Sequence, residues 1–120
     1  MTGKRSIVID VAPDPDLARI RREAVEAVRR AEAGEPPARS HLAFSSWEQM
    51  RSTLTPARMA LLSHLRRHPA PSVAALARAV GRDYRRVHED VEMLATVGLV
   101  ERDATGVRTE YDEILAAVPV

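Results

Sequence analysis

The sequence predicts a mainly α-helical fold with a small β component, and three observations carry that expectation. Between Thr55 and Val97, apolar residues recur at helical spacing in three successive blocks, each opened by a residue suited to cap a helix. Two short runs rich in β-branched residues follow, Leu99 to Arg102 and Val107 to Tyr111, split by a glycine-containing turn. Ahead of both lie a strand-like run, Ser6 to Val11, and an amphipathic stretch that ends near Ala33.

Taken in order, SIVIDV at Ser6–Val11 carries β-branched residues at 7, 8, 9 and 11 and reads as a strand closed by Pro13 and Pro15. Asp14 or Asp16 can cap the helix that follows, whose stripe is Leu17, Ile20, Ala24, Val28 and Ala31. That stripe is narrow and made mostly of small residues, so the helix needs a partner. Gly34, Pro36 and Pro37 end it and form a linker. His41 to Phe44 reads as a second short strand. Ser45 and Glu48 have the spacing of a capping box for a short helix to about Ser52, with Phe44 and Trp47 as core residues.

The pattern sharpens at Thr55-Pro56, a cap followed by proline at the first helical position. Met59, Leu61, Leu62 and Leu65 form the buried face of this helix, and His68-Pro69 ends it. Ser72 caps the next helix, with Val73, Leu76, Ala77 and Val80 inward and Gly81 placed to end it in a left-handed conformation. Asp83 caps a third helix to about Val97, with Val87, Val91 and Leu94 inward and Gly98 as the stop. The turn Asp103-Ala104-Thr105-Gly106 joins the two final strands, and Gly106 suits a positive φ. After Asp112 the tail holds a short apolar run, Ile114 to Val118.

Composition narrows the function. The 120 residues include no cysteine, which excludes a disulfide framework, a thiolate zinc site and a catalytic thiol. No apolar stretch approaches the length that spans a bilayer, and Ile7-Val8-Ile9 is too brief for a signal-peptide core, so no membrane role and a cytoplasmic location are expected. The net charge of +1 hides a polarised chain. Residues 1–50 balance eight basic against eight acidic groups. Residues 51–88 carry eight arginines against one acid, Asp83, for +7, and residues 89–113 carry two basic against eight acidic groups, for −6. A basic block of that length points to a polyanion partner.

Three helices followed by a hairpin make a winged helix-turn-helix, preceded here by a strand and a helix. Residues 1–40 are expected to form an arm for dimerisation or partner binding, and 41–120 a DNA-binding domain. The helix from Asp83 should enter the major groove of double-stranded DNA. It presents Arg82, Tyr84, Arg85, Arg86, His88 and Glu89. Arginine can pair with both acceptors of guanine, and Glu89 can accept from a cytosine amino group. Arg78 and the cap Ser72 are placed for phosphates, and Arg102 and Arg108 flank the wing turn. Tyr84 divides evenly between packing and phosphate contact. Paired half-sites make a homodimer the expected assembly, with Ile7–Val11, the stripe Leu17–Ala31 and Ile114–Val118 as interface candidates.

At RDYRRVHEDVEMLATVGLVERD the chain resembles MarR-like winged-helix regulators. It is similar to a prokaryotic branch of them in three stretches: Leu54 to Arg58, Ser72 to Arg78, and Gly81 to Val100. The resemblance spans about residues 44–114 and implies a transcriptional regulator. Some members of that branch are antitoxins, which implies a cognate toxin as a partner.

The alternative is a winged-helix module that binds protein without DNA. Enzyme chemistry is not expected: there is no glycine-rich phosphate loop, paired acid site or nucleophile elbow. His64 and His68 have a metal-capable spacing, but the glutamate of a metalloprotease helix is missing and Arg66 and Arg67 lie between them. No metal and no cofactor is expected.

Overall fold

The computed structural model describes residues 5–11, 15–34 and 40–117. Its elements in chain order are β1 (Ser6–Val11), α1 (Pro15–Ala33), β2 (Ser40–Phe44), α2 (Trp47–Thr53), α3 (Pro56–Arg67), α4 (Val73–Val80), α5 (Tyr84–Thr96), β3 (Glu101–Asp103), β4 (Gly106–Arg108) and β5 (Glu113–Ala117). The class is mixed α/β, with five helices and two small sheets among the described residues. No described helix is long and apolar enough to cross a membrane.

Two compact units divide the chain, residues 1–50 with 113–120, and residues 51–112. The expected boundary near residue 40 is therefore not where the chain divides. The first unit holds a parallel sheet in the order β2-β1-β5, with Ile9 opposite Leu42 on one side and Ala116 on the other. Parallel neighbours need a crossover, and α1 supplies it between β1 and β2. Ile7, Ile9 and Val11 are buried, while Ser6, Val8 and Asp10 alternate with them on the other face. Two of the three expected interface segments, Ile7–Val11 and the tail from Ile114, thus satisfy each other inside the chain.

The third segment, the stripe of α1, stays exposed. α1 packs on β2. Its inward side is polar: Arg22 Nη1 donates to Asp10 Oδ2 at 2.6 Å, and Glu26 and Arg30 are half-buried on the same side. The apolar stripe faces out, with Ile20 56% and Val28 58% exposed and Ala24 and Ala31 exposed beside them. A half-buried Asp10 carboxylate needs a cation, and this requirement turns the helix. Asp16 lies inside the first turn of α1 and not ahead of it. Pro13, Asp14, Pro36, Pro37, Val118 and the side chain of Leu17 lie outside the described residues.

In the second unit the helix caps and stops hold. Thr55 Oγ1 accepts from the Arg58 N–H at 3.2 Å, with Pro56 opening α3. Ser72 Oγ accepts from Ala75 N–H and Asp83 Oδ2 from Arg86 N–H. Gly81 closes α4 at φ +68°, and Arg82 N–H donates to Ala77 O at 3.1 Å, the bond that seals a left-handed helix end. The core is Leu61, Leu62 and Leu65 from α3, Val73, Leu76 and Ala77 from α4, and Val87, Val91 and Leu94 from α5, with Leu99, Val100 and Val107. β3 and β4 pair antiparallel with Asp103 opposite Gly106, and Gly106 has φ +137°. The strands are shorter than expected: Leu99 and Val100 precede β3 as core residues, and β4 ends at Arg108.

Three local expectations are corrected. The capping pair of α2 is Ser46 and Gln49, not Ser45 and Glu48: Ser46 Oγ accepts from Gln49 N–H, and Gln49 Oε1 accepts from Ser45 N–H at 2.7 Å. Trp47, at the first position of α2, is 44% exposed, and Met59 is 38% exposed on the outer side of α3, so neither is core.

Candidate nucleic-acid interface

Burial of Val87, Val91 and Leu94 fixes which side of α5 points away from the core. Arg85 and Glu89, one turn apart, lie on that opposite side, with Arg86 beside them, and all three are exposed. Tyr84 is 53% exposed, which removes the packing role, and its ring sits 5.8 Å from that of His88. Tyr84, Arg85, His88 and Glu89 line one shallow open depression over the first two turns of α5. Arg78, in the last turn of α4, is exposed. Arg78, Arg85 and Arg86 form no ion pair among the described residues.

The remaining basic candidates are engaged. Arg82 Nη2 donates to Asp90 Oδ2 at 2.8 Å, and Arg58 Nε donates to Asp90 Oδ1 at 3.0 Å. One half-buried carboxylate thus holds two guanidiniums, and Arg58 also donates to the carbonyls of Ser52 and Thr53. Arg82 therefore ties the start of α5 to its middle, and Arg58 ties α5 to α3. Arg102 is paired with Glu92 and lies 3.5 Å from His88 Nε2, which fastens β3 to the outer side of α5. Arg108 makes a two-pronged contact with Asp103, at 2.8 and 3.3 Å, and a further one with Glu101 at 3.1 Å. The Arg108 fork, with the hydroxyl and N–H of Thr105, holds the Asp103 carboxyl well below the usual carboxylate range. Ser72 Oγ is occupied as an acceptor by its cap bond.

The ten expected contacts therefore divide. Tyr84, Arg85, His88 and Glu89 are brought together, Arg78, Arg86 and Ser72 are exposed, and Arg82, Arg102 and Arg108 are bound to carboxylates. Sequence reasoning missed Asp90 and Glu92, the partners that claim Arg82 and Arg102. The available signal was position: Asp90 borders the buried row of Val87 and Val91, where an acid requires a cation. Of the ten expected contacts, the arginines without an ion pair among the described residues, Arg78, Arg85 and Arg86, flank the α4–α5 turn, while Arg108 is neutralised within the hairpin and Arg102 by Glu92 of α5. His64 and His68 contact each other ring to ring at 5.2 Å, and no cluster of three metal-capable side chains is found among the described residues.

No curated relative and no solved structure matches the chain. The profile of the HVO_A0114 family matches residues 53–116, more than half of the chain. That match runs from the end of α2 through α3, α4, α5 and the β3–β4 hairpin into β5, and on this basis the chain belongs to the HVO_A0114 family.

Proposed function

We propose that this chain is a sequence-specific DNA-binding transcriptional regulator, a repressor that works in the cytoplasm as a homodimer and carries out no enzymatic step. In this reading α3, α4, α5 and the β3–β4 hairpin are a winged helix-turn-helix of MarR-like type, and α5 enters the major groove. The observation that carries the proposal is the set of unpaired arginines at the start of α5. Arg85 and Arg86 are exposed on the side turned away from the core, with Arg78 close by in sequence on α4. A helix that buries one side and offers uncompensated guanidiniums at its N-terminal turns has what groove entry requires. Glu89, one turn beyond Arg85, adds an acceptor for a cytosine amino group. The MarR-like resemblance extends the proposal to an antitoxin role with a cognate toxin as partner, which co-purification with the product of the adjacent gene tests.

The experiment is selection of bound duplexes from a random pool, followed by affinity measurements on single variants. Arg85→Ala should weaken binding to the selected site by about tenfold, since a two-pronged arginine–guanine contact contributes roughly 1–3 kcal/mol of discrimination. Arg108→Ala should change it less than twofold. Failure to enrich any sequence overturns the proposal. The engaged arginines of the hairpin favour a second reading for that element, a protein-contact surface, and a loss of partner binding on Glu101→Ala with DNA affinity intact would establish it.

A further inference from the structure

The outward face of α1 assigns the dimer contact. The helix docks on its own sheet through Arg22 and leaves Ile20, Ala24, Val28 and Ala31 in solvent. Amphipathic helices normally bury their apolar side, and among the described residues this face has no cover. The exposed row is also symmetric. Ile20, Ala24 and Val28 follow one another at intervals of four, with the small residue in the centre and a β-branched residue of similar size on each side. A row with that symmetry fits a second copy of itself running antiparallel.

We infer that two copies of this chain associate through α1, antiparallel about a two-fold axis at Ala24. Ala24 then faces the partner's Ala24, and Ile20 faces the partner's Val28. The contact is isologous, as a two-fold axis requires. Rows at intervals of four pack into the grooves of a like row, and alanine at the crossing point lets the axes approach to about 8 Å. The 19 residues of α1 make a rod about 28 Å long, whose apolar strip is smaller than the roughly 800 Å² per partner of a standard interface. The dimer should therefore be concentration-dependent. The assignment goes beyond the proposed function by naming the surface, and its test does not involve DNA.

Because the chain has no cysteine, site-directed cross-linking of the full-length protein reads the contact directly. A disulfide needs Cβ atoms about 3.5–4.5 Å apart, which the crossing point provides. Ala24→Cys should oxidise to a covalent dimer at least tenfold faster than Arg29→Cys, a solvent position on the far side of the same helix. Ile20→Cys and Val28→Cys should cross-link to each other when mixed, and poorly alone. Ile20→Glu with Val28→Glu should shift sedimentation to the monomer at concentrations where the unaltered chain is dimeric, with far-UV circular dichroism unchanged. A monomer at every concentration, an Ala24→Cys rate no greater than that of Arg29→Cys, a faster homodimer through Ile20→Cys, or a dimer that survives the double glutamate variant would each overturn the inference.

Discussion

Gly106→Ala should damage the second unit far more than a hairpin-tip substitution normally would. Gly106 sits at φ +137°, and a Cβ built there would lie 2.2 Å from the Ala70 carbonyl oxygen and 3.1 Å from Pro71 Cα. That carbonyl accepts from Val107 N–H at 2.8 Å, and Ala70 N–H donates to Val107 O at 2.9 Å. The α3–α4 connection is thus stitched to β4, and the methyl group can be admitted only by pulling the stitch apart. Each hydrogen bond contributes about 1 kcal/mol, and the unfavourable φ costs about 1–3 kcal/mol. The substitution should therefore destabilise by about 3–5 kcal/mol. Gly81→Ala is the control: Gly81 also has a positive φ, +68°, but a Cβ there meets nothing within 4 Å, so only about 1–2 kcal/mol is at stake. Urea unfolding of both variants, followed by circular dichroism, gives the comparison. For a unit of this size each kcal/mol lowers Tm by about 4–8 °C. Equal losses in the two variants would refute the argument from close backbone approach.

Two further outcomes follow from the charged contacts. Asp90→Asn should cost about 2 kcal/mol, since it weakens two charge-assisted hydrogen bonds to Arg58 and Arg82 that are only partly shielded from water; a loss below about 0.5 kcal/mol in urea unfolding would show that this carboxylate does not brace α5. Burial first, then the nearby Arg22 guanidinium, push the His41 imidazole below its ordinary value of 6.5, against the opposing pull of Asp10. The folded chain then takes up fewer protons than the unfolded chain, so the stability of the first unit is full above pH 6.5 and declines as pH falls below it. Urea midpoints between pH 8 and pH 5 should fall for the unaltered chain and fall less for His41→Gln; parallel slopes would contradict this.

What the sequence made legible is local. The caps Thr55, Ser72 and Asp83, the stop at Gly81 and the inward triplet Val87, Val91 and Leu94 depend on residues within one or two turns, and each is seen where its spacing places it. What the sequence hid depends on partners brought in from elsewhere. The orientation of α1 is set by Asp10, a residue twelve positions before Arg22 that becomes a neighbour only when β1 is in place. The pairing of β1 with β5 joins residues more than a hundred positions apart, so Ile7–Val11 and Ile114–Ala117 looked unpartnered. At the interface, charge counting placed Arg82 beside Arg85 and Arg86, and position at the wing turn added Arg102 and Arg108. Arg82 and Arg102 are taken by acids on α5 itself, Asp90 and Glu92, and Arg108 by Glu101 and Asp103 in the hairpin. Arg85 and Arg86 were legible because the buried triplet dictates their direction.

The most direct test is the affinity of the full chain for a selected duplex, measured by fluorescence anisotropy from 50 to 300 mM salt. Arg85 reads a base, and Arg78 and Arg86, exposed and without an ion pair among the described residues, each release a counterion from a phosphate, which predicts a slope of log K against log salt of about −2 per protomer and roughly −4 for the dimer. That slope should flatten by about one per protomer for each of Arg78→Ala and Arg86→Ala and change little for Arg85→Ala, which should relax sequence preference instead. No measurable binding at 50 mM salt, or an affinity indifferent to salt, would contradict this reading.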